Sequence, residues 1–419
     1  MTRRDADTSS DAEHGDSDEV LPGADLAPLK LKRDEERRLS AGHLWVYSNE
    51  IDTAATPLGG FGAGQPVAIR SAKDKFMGYG YVNPHSLIAA RILSRDVRHP
   101  PSKSLIVHRL NVALALRERC YSRPFYRLAY GEADGLPGLV VDRYDDVFVV
   151  QLGTAGMEVL REEVLAALLQ VFKPRGVLFK NDSAAREAEG LPSYVEVAAG
   201  TVPDEVLVEE AGLSFAAPLA GGQKTGWFYD QAANREQFLR YASGAARILD
   251  VCGYLGAWGI RAAAGRGAHV TMVDSSAAAC EHATANAARN NVPFEALRGD
   301  AFDVLTGLAE ARERFDLVII DPPAFIKRRK DLPKGIAAYR RLTQLAVQCT
   351  GRDALLVSCS CSHHLPAEEL DAALQRGARH ASRQAQVISV GGQAPDHPVH
   401  PAIPETRYLK ALLARITPD

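Results

Sequence analysis

No stretch of this chain reaches the roughly 18 consecutive apolar residues that a membrane span requires. The opening residues, Met1-Thr2-Arg3-Arg4-Asp5, lead into no apolar leader core. Cysteine is scarce: six residues in 419, at positions 120, 252, 280, 349, 359 and 361, with no Cys-x-x-Cys pair. Neither a disulfide framework nor a zinc site is expected, and reduced thiols in a cytoplasmic protein without a membrane partner are. A large net charge is also missing, but the formal value of -3 conceals a division. Residues 1–28 hold eight Asp or Glu against Arg3 and Arg4, a net of -6, which leaves +3 on the remainder. Such a Ser/Asp-rich tail buries too little apolar surface to fold and is expected to be disordered, so the average charge does not exclude a polyanionic partner. What is present is an ordinary globular composition, 46% hydrophobic and 24% charged, in a chain long enough for about three domains.

Hydrophobic periodicity divides the chain further. Short runs rich in Val, Ile and Tyr at Gln65 to Ser71, Phe76 to Val82 and Leu87 to Leu93, punctuated by Gly and Pro, predict a small barrel-like β domain over 29–100. From Ser104 the period turns helical, and strands at Leu139 to Asp142, Val147 to Leu152 and Gly176 to Lys180 surround a helix from about Glu158 to Phe172. This predicts a central α+β domain over 101–216. Beyond residue 217, apolar strands at Ile248 to Val251, His269 to Val273, Leu317 to Ile320 and Ala354 to Val357 alternate with helices at Ala277 to Asn290 and Gly335 to Cys349. That rhythm is the signature of an α/β, Rossmann-like, mainly parallel sheet covered on both faces.

The chemistry-bearing residues fall at the carboxyl ends of those strands, the edge at which open α/β sheets bind ligands. Asp250-Val251-Cys252-Gly253-Tyr254-Leu255-Gly256 turns from strand to helix through glycines that permit close backbone approach, and Asp274 ends the next strand where such folds hold ribose hydroxyls. The turn is not the dinucleotide fingerprint, so an adenosyl ligand such as S-adenosylmethionine fits better than NAD. A tight turn beside a solvated carboxylate is the plainer alternative. Asp321-Pro322-Pro323-Ala324-Phe325 offers stiffened carbonyls to an exocyclic amine, a carboxylate to a ring nitrogen and a face for stacking. Lys327, Arg328 and Arg329 begin a run of seven cations against one acid, suited to phosphate. Ser358-Cys359-Ser360-Cys361 brings thiols to the same edge. Cys359 is read as a nucleophile that adds to C6 of a cytosine and renders C5 able to accept a methyl group; a small buried hydrophobe is the commoner fate of a free cysteine. Gly222 to Gln231, with Arg235, is dense in polar and aromatic groups and is expected to cover the cofactor, with Gln223 and Arg235 near its polar end.

Taken in order, Gly-Gln-Lys-Thr-Gly-Trp-Phe-Tyr-Asp-Gln from Gly222, the glycine turn, Asp-Pro-Pro-Ala-Phe and Ser-Cys-Ser resemble the bacterial large-subunit rRNA methyltransferase I family, which makes 5-methylcytosine in 23S rRNA. Gly131 to Arg143, Asp396-His397-Pro398 and Tyr408-Leu409-Lys410 read like the same family. The resemblance implies an N-terminal PUA domain, a central α+β domain, a C-terminal class I methyltransferase domain, S-adenosylmethionine as donor and ribosomal RNA as partner. It assigns Cys359 as nucleophile, Asp321 as the acidic residue of its loop, and Asp274 and Asp300 as ribose and adenine contacts. Cys361 stands where the family usually has glycine, and no cysteine follows Pro323. A second copy of the chain, as a homodimer, stays among the candidate partners. Two alternatives remain open at this point: methylation of a guanine or adenine nitrogen on the same fold, and a catalytically silent RNA-binding protein.

Overall fold

The computed structural model describes Gly23 and residues 25–419; the acidic segment expected to be disordered falls, for the most part, outside the described residues. Near the N-terminus a five-stranded sheet forms in the order Pro28–Lys30, Gln65–Arg70, Phe76–Val82, Ala90–Ser94, Trp45–Val46. The strands curl around Leu29, Val67, Ile69, Val82 and Ile92, each at most 1% exposed.

A second five-stranded sheet runs in the order Tyr194–Gly200, Gly176–Asn181, Val147–Leu152, Leu139–Tyr144, Phe125–Tyr130. Its parallel pair, Val147–Leu152 with Gly176–Asn181, needs a crossover, and helices at Ala155–Val159 and Arg161–Phe172 supply it. The single helix expected from Glu158 is thus two, broken at Leu160. The hairpin Glu205–Glu210 and Leu213–Pro218 does not join this sheet. Asn286, on the helix Ala277–Arg289, bonds both backbone groups of Ala216 and holds the hairpin against the C-terminal unit.

The C-terminal sheet has seven strands: β1 (Arg247–Val251), β2 (His269–Asp274), β3 (Phe294–Arg298), β4 (Phe315–Ile320), β5 (Thr350–Ser360), β6 (Arg383–Gly391) and β7 (Lys410–Pro418). Their order is β3-β2-β1-β4-β5-β7-β6, parallel through β5, with β7 inserted antiparallel between β5 and β6. Strand side chains alternate between faces. Ile248, Leu317, Ile319, Val357 and Leu413 enter one apolar cluster; Leu249, Val251, Val318, Leu356 and Leu412 enter the other. Strands β4 and β5 carry the uninterrupted apolar runs of a doubly covered sheet, while single polar residues, Asp250 and Thr271, interrupt those of β1 and β2. Strands β3 and β6 mix polar residues among apolar ones, and β7 holds the run Ala411-Leu412-Leu413-Ala414, to which the sequence reading assigned no strand. Among the described residues no helix is long and apolar enough to cross a membrane.

The central and C-terminal units are joined by buried charge. Arg117, 0% exposed, grips Asp134 with two bonds of 2.6 and 2.8 Å and donates to the carbonyl of Asp396 at 2.7 Å. Replacing Arg117 with Leu would strand a nearly buried carboxylate and leave carbonyl groups without donors. We expect a loss of about 3–5 kcal/mol in stability, read as a lower midpoint in thermal or urea unfolding. A midpoint within error of wild type would show that the pair contributes nothing.

Candidate active site

One cavity of about 460 Å³ opens at the carboxyl edge of the seven-stranded sheet. Its wall comes from the turn after β1, the end of β2, the segments following β3, β4 and β5, and the residues just ahead of antiparallel β7. The Gln223 to Gln231 segment covers it.

The turn after β1 is tight. Cys252 and Tyr254 hold positive φ of 63° and 51°, and Gly256 follows at 78°. A Cβ on Gly253 would lie 2.6 Å from the Met272 side chain and 2.9 Å from an Asp250 oxygen, so only glycine fits. Asp274 pins the turn by accepting from the Tyr254 amide at 3.1 Å and the Ser276 amide at 2.9 Å, and still lines the cavity. The Tyr254 hydroxyl accepts from the Gln223 amide at 3.0 Å and donates to the Gly226 carbonyl at 3.1 Å, bolting the covering segment to the turn. Asp300 caps the helix Ala301–Glu310 through the Phe302 amide, with Phe302 beside it in the wall.

Asp321 follows the last residue of β4. Its carboxylate accepts from Gln231 Nε2 at 3.0 Å to both oxygens and from the Trp258 indole at 3.2 Å. Burial, with Asp230 nearby, raises its pKa to about 6. Pro322, Pro323 and Phe325 line the cavity, and the Phe325 ring packs on Tyr339 at 4.8 Å.

Gln223, Gly253, Tyr254, Asp274, Asp300, Asp321, Pro322, Pro323 and Phe325 are therefore gathered in one wall. Other expected residues stand elsewhere. Asp250 is 0% exposed beneath the turn, where it accepts from the Gly259 amide at 2.9 Å. Gly256 starts the helix Ala257–Ala263, where an added Cβ would meet Ile260. Arg235 touches the cavity, but its guanidinium is committed to Glu210, by two bonds of 2.6 Å, and to the Phe228 carbonyl. It braces the fold and is not free for a ligand carboxylate. Lys327, Arg328 and Arg329 are exposed just beyond the wall. Cys359 is 0% exposed, packed in the core behind Gln231, and burial pushes its thiol well above the ordinary value.

The wall also contains residues to which the sequence reading gave no site role: Lys224, Trp227, Asp230, Gln231, Trp258, Cys361, noted only for standing where the family has glycine, and Tyr408, noted only as a family landmark. The first four lie inside the segment recognised as unusually rich. Tyr408 and Asp230 share a hydrogen bond of 2.5 Å across 178 residues, a pairing only the fold reveals.

Strand order 3-2-1-4-5-7-6, with a cavity fed by the ends of β1, β2 and β4, defines the class I methyltransferase fold. Two solved structures agree. A putative methyltransferase complexed with SAH superposes with a TM-score of 0.78 at 19% identity, covering 93% of this chain and all of that one. A putative SAM-dependent methyltransferase from Streptococcus mutans gives 0.77 at 20%, with the same coverage. Residues 29–95 match the PUA-like domain model and residues 236–352 the model described as conserved hypothetical protein 95. The ribosomal RNA large subunit methyltransferase I of Tolumonas auensis is 35% identical over 92% of this chain and 98% of its own length. That of Pseudoalteromonas atlantica is 32% identical over 93% and 99%. The chain belongs to the ribosomal RNA large subunit methyltransferase I family.

Burial raises the pKa of Asp250 to about 7, with Asp321 and Asp274 adding to the shift, and one of its oxygens has no hydrogen-bond partner. A folded pKa above the unfolded value means that ionisation costs stability. The cost is absent below about pH 4, grows as pH rises to about 7 and is constant above. Asp250→Asn removes this dependence while keeping an acceptor for Gly259. The stability of the variant relative to wild type should rise between pH 4 and 8, by up to about 4 kcal/mol. Urea unfolding at several pH values measures it, and a pH-independent difference would refute the assignment.

Proposed function

We propose that this protein transfers a methyl group from S-adenosylmethionine to C5 of a cytosine in large-subunit ribosomal RNA. The observation that carries this reading is the meeting, in one cavity, of the Asp-Pro-Pro-Ala-Phe loop after β4 and a thiol-bearing segment after β5. The names of the curated relatives support ribosomal RNA as the substrate.

The cavity suits the donor. Gly253 lets the turn close over Met272 and Asp250 while lining the cavity, and Asp274 and Asp300 present carboxylate oxygens for ribose hydroxyls and an adenine amine. When bound, S-adenosylmethionine supplies a methyl group activated by sulfonium charge. The chain's own residues prepare the acceptor. The Phe325 side chain offers a stacking face, and the Pro322 and Pro323 carbonyls can receive the exocyclic amine of the base. Asp321, with a pKa near 6, lies close to balance between acid and base at neutral pH. It can pass a proton to the pyrimidine ring nitrogen as C6 is attacked, which lowers the cost of charge building in the ring. The cavity is too enclosed for a base stacked in a duplex, so the target must be flipped out or single-stranded.

Outside the wall, Lys327, Arg328 and Arg329 face solvent and can meet backbone phosphates. The N-terminal domain, 29–100, is assigned to binding RNA that flanks the target, and 217–419 to catalysis.

Mass-spectrometric mapping of ribosomal RNA nucleosides from cells with and without the protein tests the reading. One 5-methylcytosine should vanish from large-subunit RNA in the deletion strain; loss of a methylated guanine or adenine nitrogen instead would replace this function with base-nitrogen methylation. Asp321→Asn should lower kcat about 100-fold or more. Replacing Lys327, Arg328 and Arg329 together with Gln should mainly raise KM for RNA. It should also flatten the dependence of log KM on log salt by about 2.

A further inference from the structure

We propose that Asp230 is the base that removes the C5 proton once the methyl group has been transferred. The inference rests on the cytosine-C5 reading above and supplies a residue for the step which that reading leaves without one.

A methyl group that reaches C5 from the donor drives the hydrogen already there toward the opposite face of the ring. The base must therefore stand across the cavity from the donor. Asp230 lines both the main cavity and a smaller annex of about 230 Å³, which shares Lys224, Trp227, Phe228 and Tyr408 with it. The annex contains no residue of the glycine turn, of the end of β2 or of the segment after β3. Asp230 thus belongs to the end of the cavity remote from the residues assigned to the donor.

Its carboxylate is held by one oxygen and open at the other. Oδ2 accepts from the Tyr408 hydroxyl at 2.5 Å, and the Asp230 carbonyl accepts from the Ala394 amide at 2.9 Å. Oδ1 has no hydrogen-bond partner among the described residues, although Asp230 is only 6% exposed. A buried acceptor left without a donor costs stability, and folded chains rarely keep one that has no use. Burial opposes ionisation, but His397, Lys224, the Tyr408 bond and Arg127 outweigh it and hold the carboxyl below its ordinary pKa. At neutral pH the free oxygen carries a pair that can take a proton.

The other groups of the wall are committed elsewhere. Asp274 accepts from two amides at the donor end, and Asp300 caps a helix there. Both oxygens of Asp321 accept from Gln231, and one also from Trp258. Cys252 sits in the glycine turn, on the donor's side, where burial pushes its thiol up to about 12. The Cys361 thiol donates to the Pro322 carbonyl at 3.9 Å and so keeps its proton, and the Tyr254 hydroxyl is engaged by Gln223 and Gly226. Lys224, as an ammonium, has no free pair.

In the step, the Oδ1 pair bonds the C5 hydrogen as a proton, and the C5–H electrons become the C5–C6 double bond. The pair of the sulfur–C6 bond returns to sulfur. The products are 5-methylcytosine, a free thiolate and a neutral Asp230 acid, which gives its proton to water as the RNA leaves.

Asp230→Asn keeps an acceptor for Tyr408 and removes the base. With unmodified large-subunit rRNA and donor labelled in the methyl group, the variant should lose about 100-fold or more of steady-state turnover. The label should accumulate on RNA bound to protein through denaturing electrophoresis, because methyl transfer still occurs and release does not. On rRNA transcribed with 5-fluorocytidine, whose C5 holds no removable proton, variant and wild type should be trapped at the same rate. Tyr408→Phe leaves the carboxylate intact but unfixed, and should show the same accumulation with turnover down about 10-fold. Either variant releasing product at the wild-type rate overturns the proposal. So does an Asp230→Asn protein that binds donor normally and forms no adduct, since that places Asp230 ahead of methyl transfer. Wild-type protein that is neither trapped by 5-fluorocytidine nor able to make 5-methylcytosine would instead remove the cytosine-C5 reading on which the proposal stands.

Discussion

The placement of the active site depends on a buried ionic and hydrogen-bonded core around Asp142. This carboxylate, 0% exposed, takes two bonds of 2.8 Å from Arg127 and one from the hydroxyl of Thr225. Arg127 is on the outer strand of the central sheet, and its amide donates to Asp396 of the C-terminal unit. Thr225 belongs to the segment that covers the cavity. Two residues along the strand, the Tyr144 hydroxyl donates to the Thr225 carbonyl and accepts from the Trp227 amide. A charge so enclosed is tolerable only when fully paired. Any slippage between the units would leave it unpaired, so the network selects one register between the central sheet and the covering segment. That register presents Lys224, Asp230 and Gln231 to the site.

From this anchoring the rest of the site follows by sheet geometry. The strands β1, β2, β4 and β5 end at one edge, and each delivers a functional group within a few residues of its last paired position: the glycine turn, Asp274, Asp321 and the thiols. Two-residue periodicity then decides which groups face the cavity and how deep they lie. Asp250 and Cys359 fall within paired strand and are buried. Asp321 and Cys361 stand just past the last pair and reach the cavity.

Much of this was legible in the sequence because the signals are local. A buried parallel strand is a continuous apolar run, and a loop that must approach a ligand shows glycine or proline, so β1, β2, β4, β5 and the ligand-bearing ends of β1 and β4 could be read from residue type alone. Strands β3, β6 and β7 were not: β3 and β6 are broken by polar residues, and the apolar run Ala411 to Ala414 of β7 owes its place between β5 and β6 to pairing partners that no local pattern names. The same limit applies to side chains. Asp250, Arg235 and Cys359 have the chemistry of site residues, but whether a carboxylate meets a ligand or a backbone amide depends on contacts no spacing encodes. Gly131 to Arg143 and Asp396-His397-Pro398 stood out in the sequence only as family landmarks. The structure gives them a physical task, since Asp142, Asp396 and the Arg117–Asp134 pair form the interdomain fastening.

The distribution of charge separates the two ligands that a nucleic-acid methyltransferase must hold. Asp230, Asp274, Asp300 and Asp321 all line the cavity against Lys224, and the guanidinium of Arg235, which could have offset them further, is spent on Glu210. A small enclosure walled by carboxylates favours a ligand that carries positive charge and opposes the entry of phosphate. The exposed cations that begin at Lys327 lie only two residues past Phe325, so the sign of the surface reverses where the wall ends. A polyanion is drawn to the rim and held there, and a neutral base is the part of it that can cross into the acidic interior at least cost. The arrangement thereby makes extrusion of the base, rather than entry of the strand, the route by which RNA and donor meet.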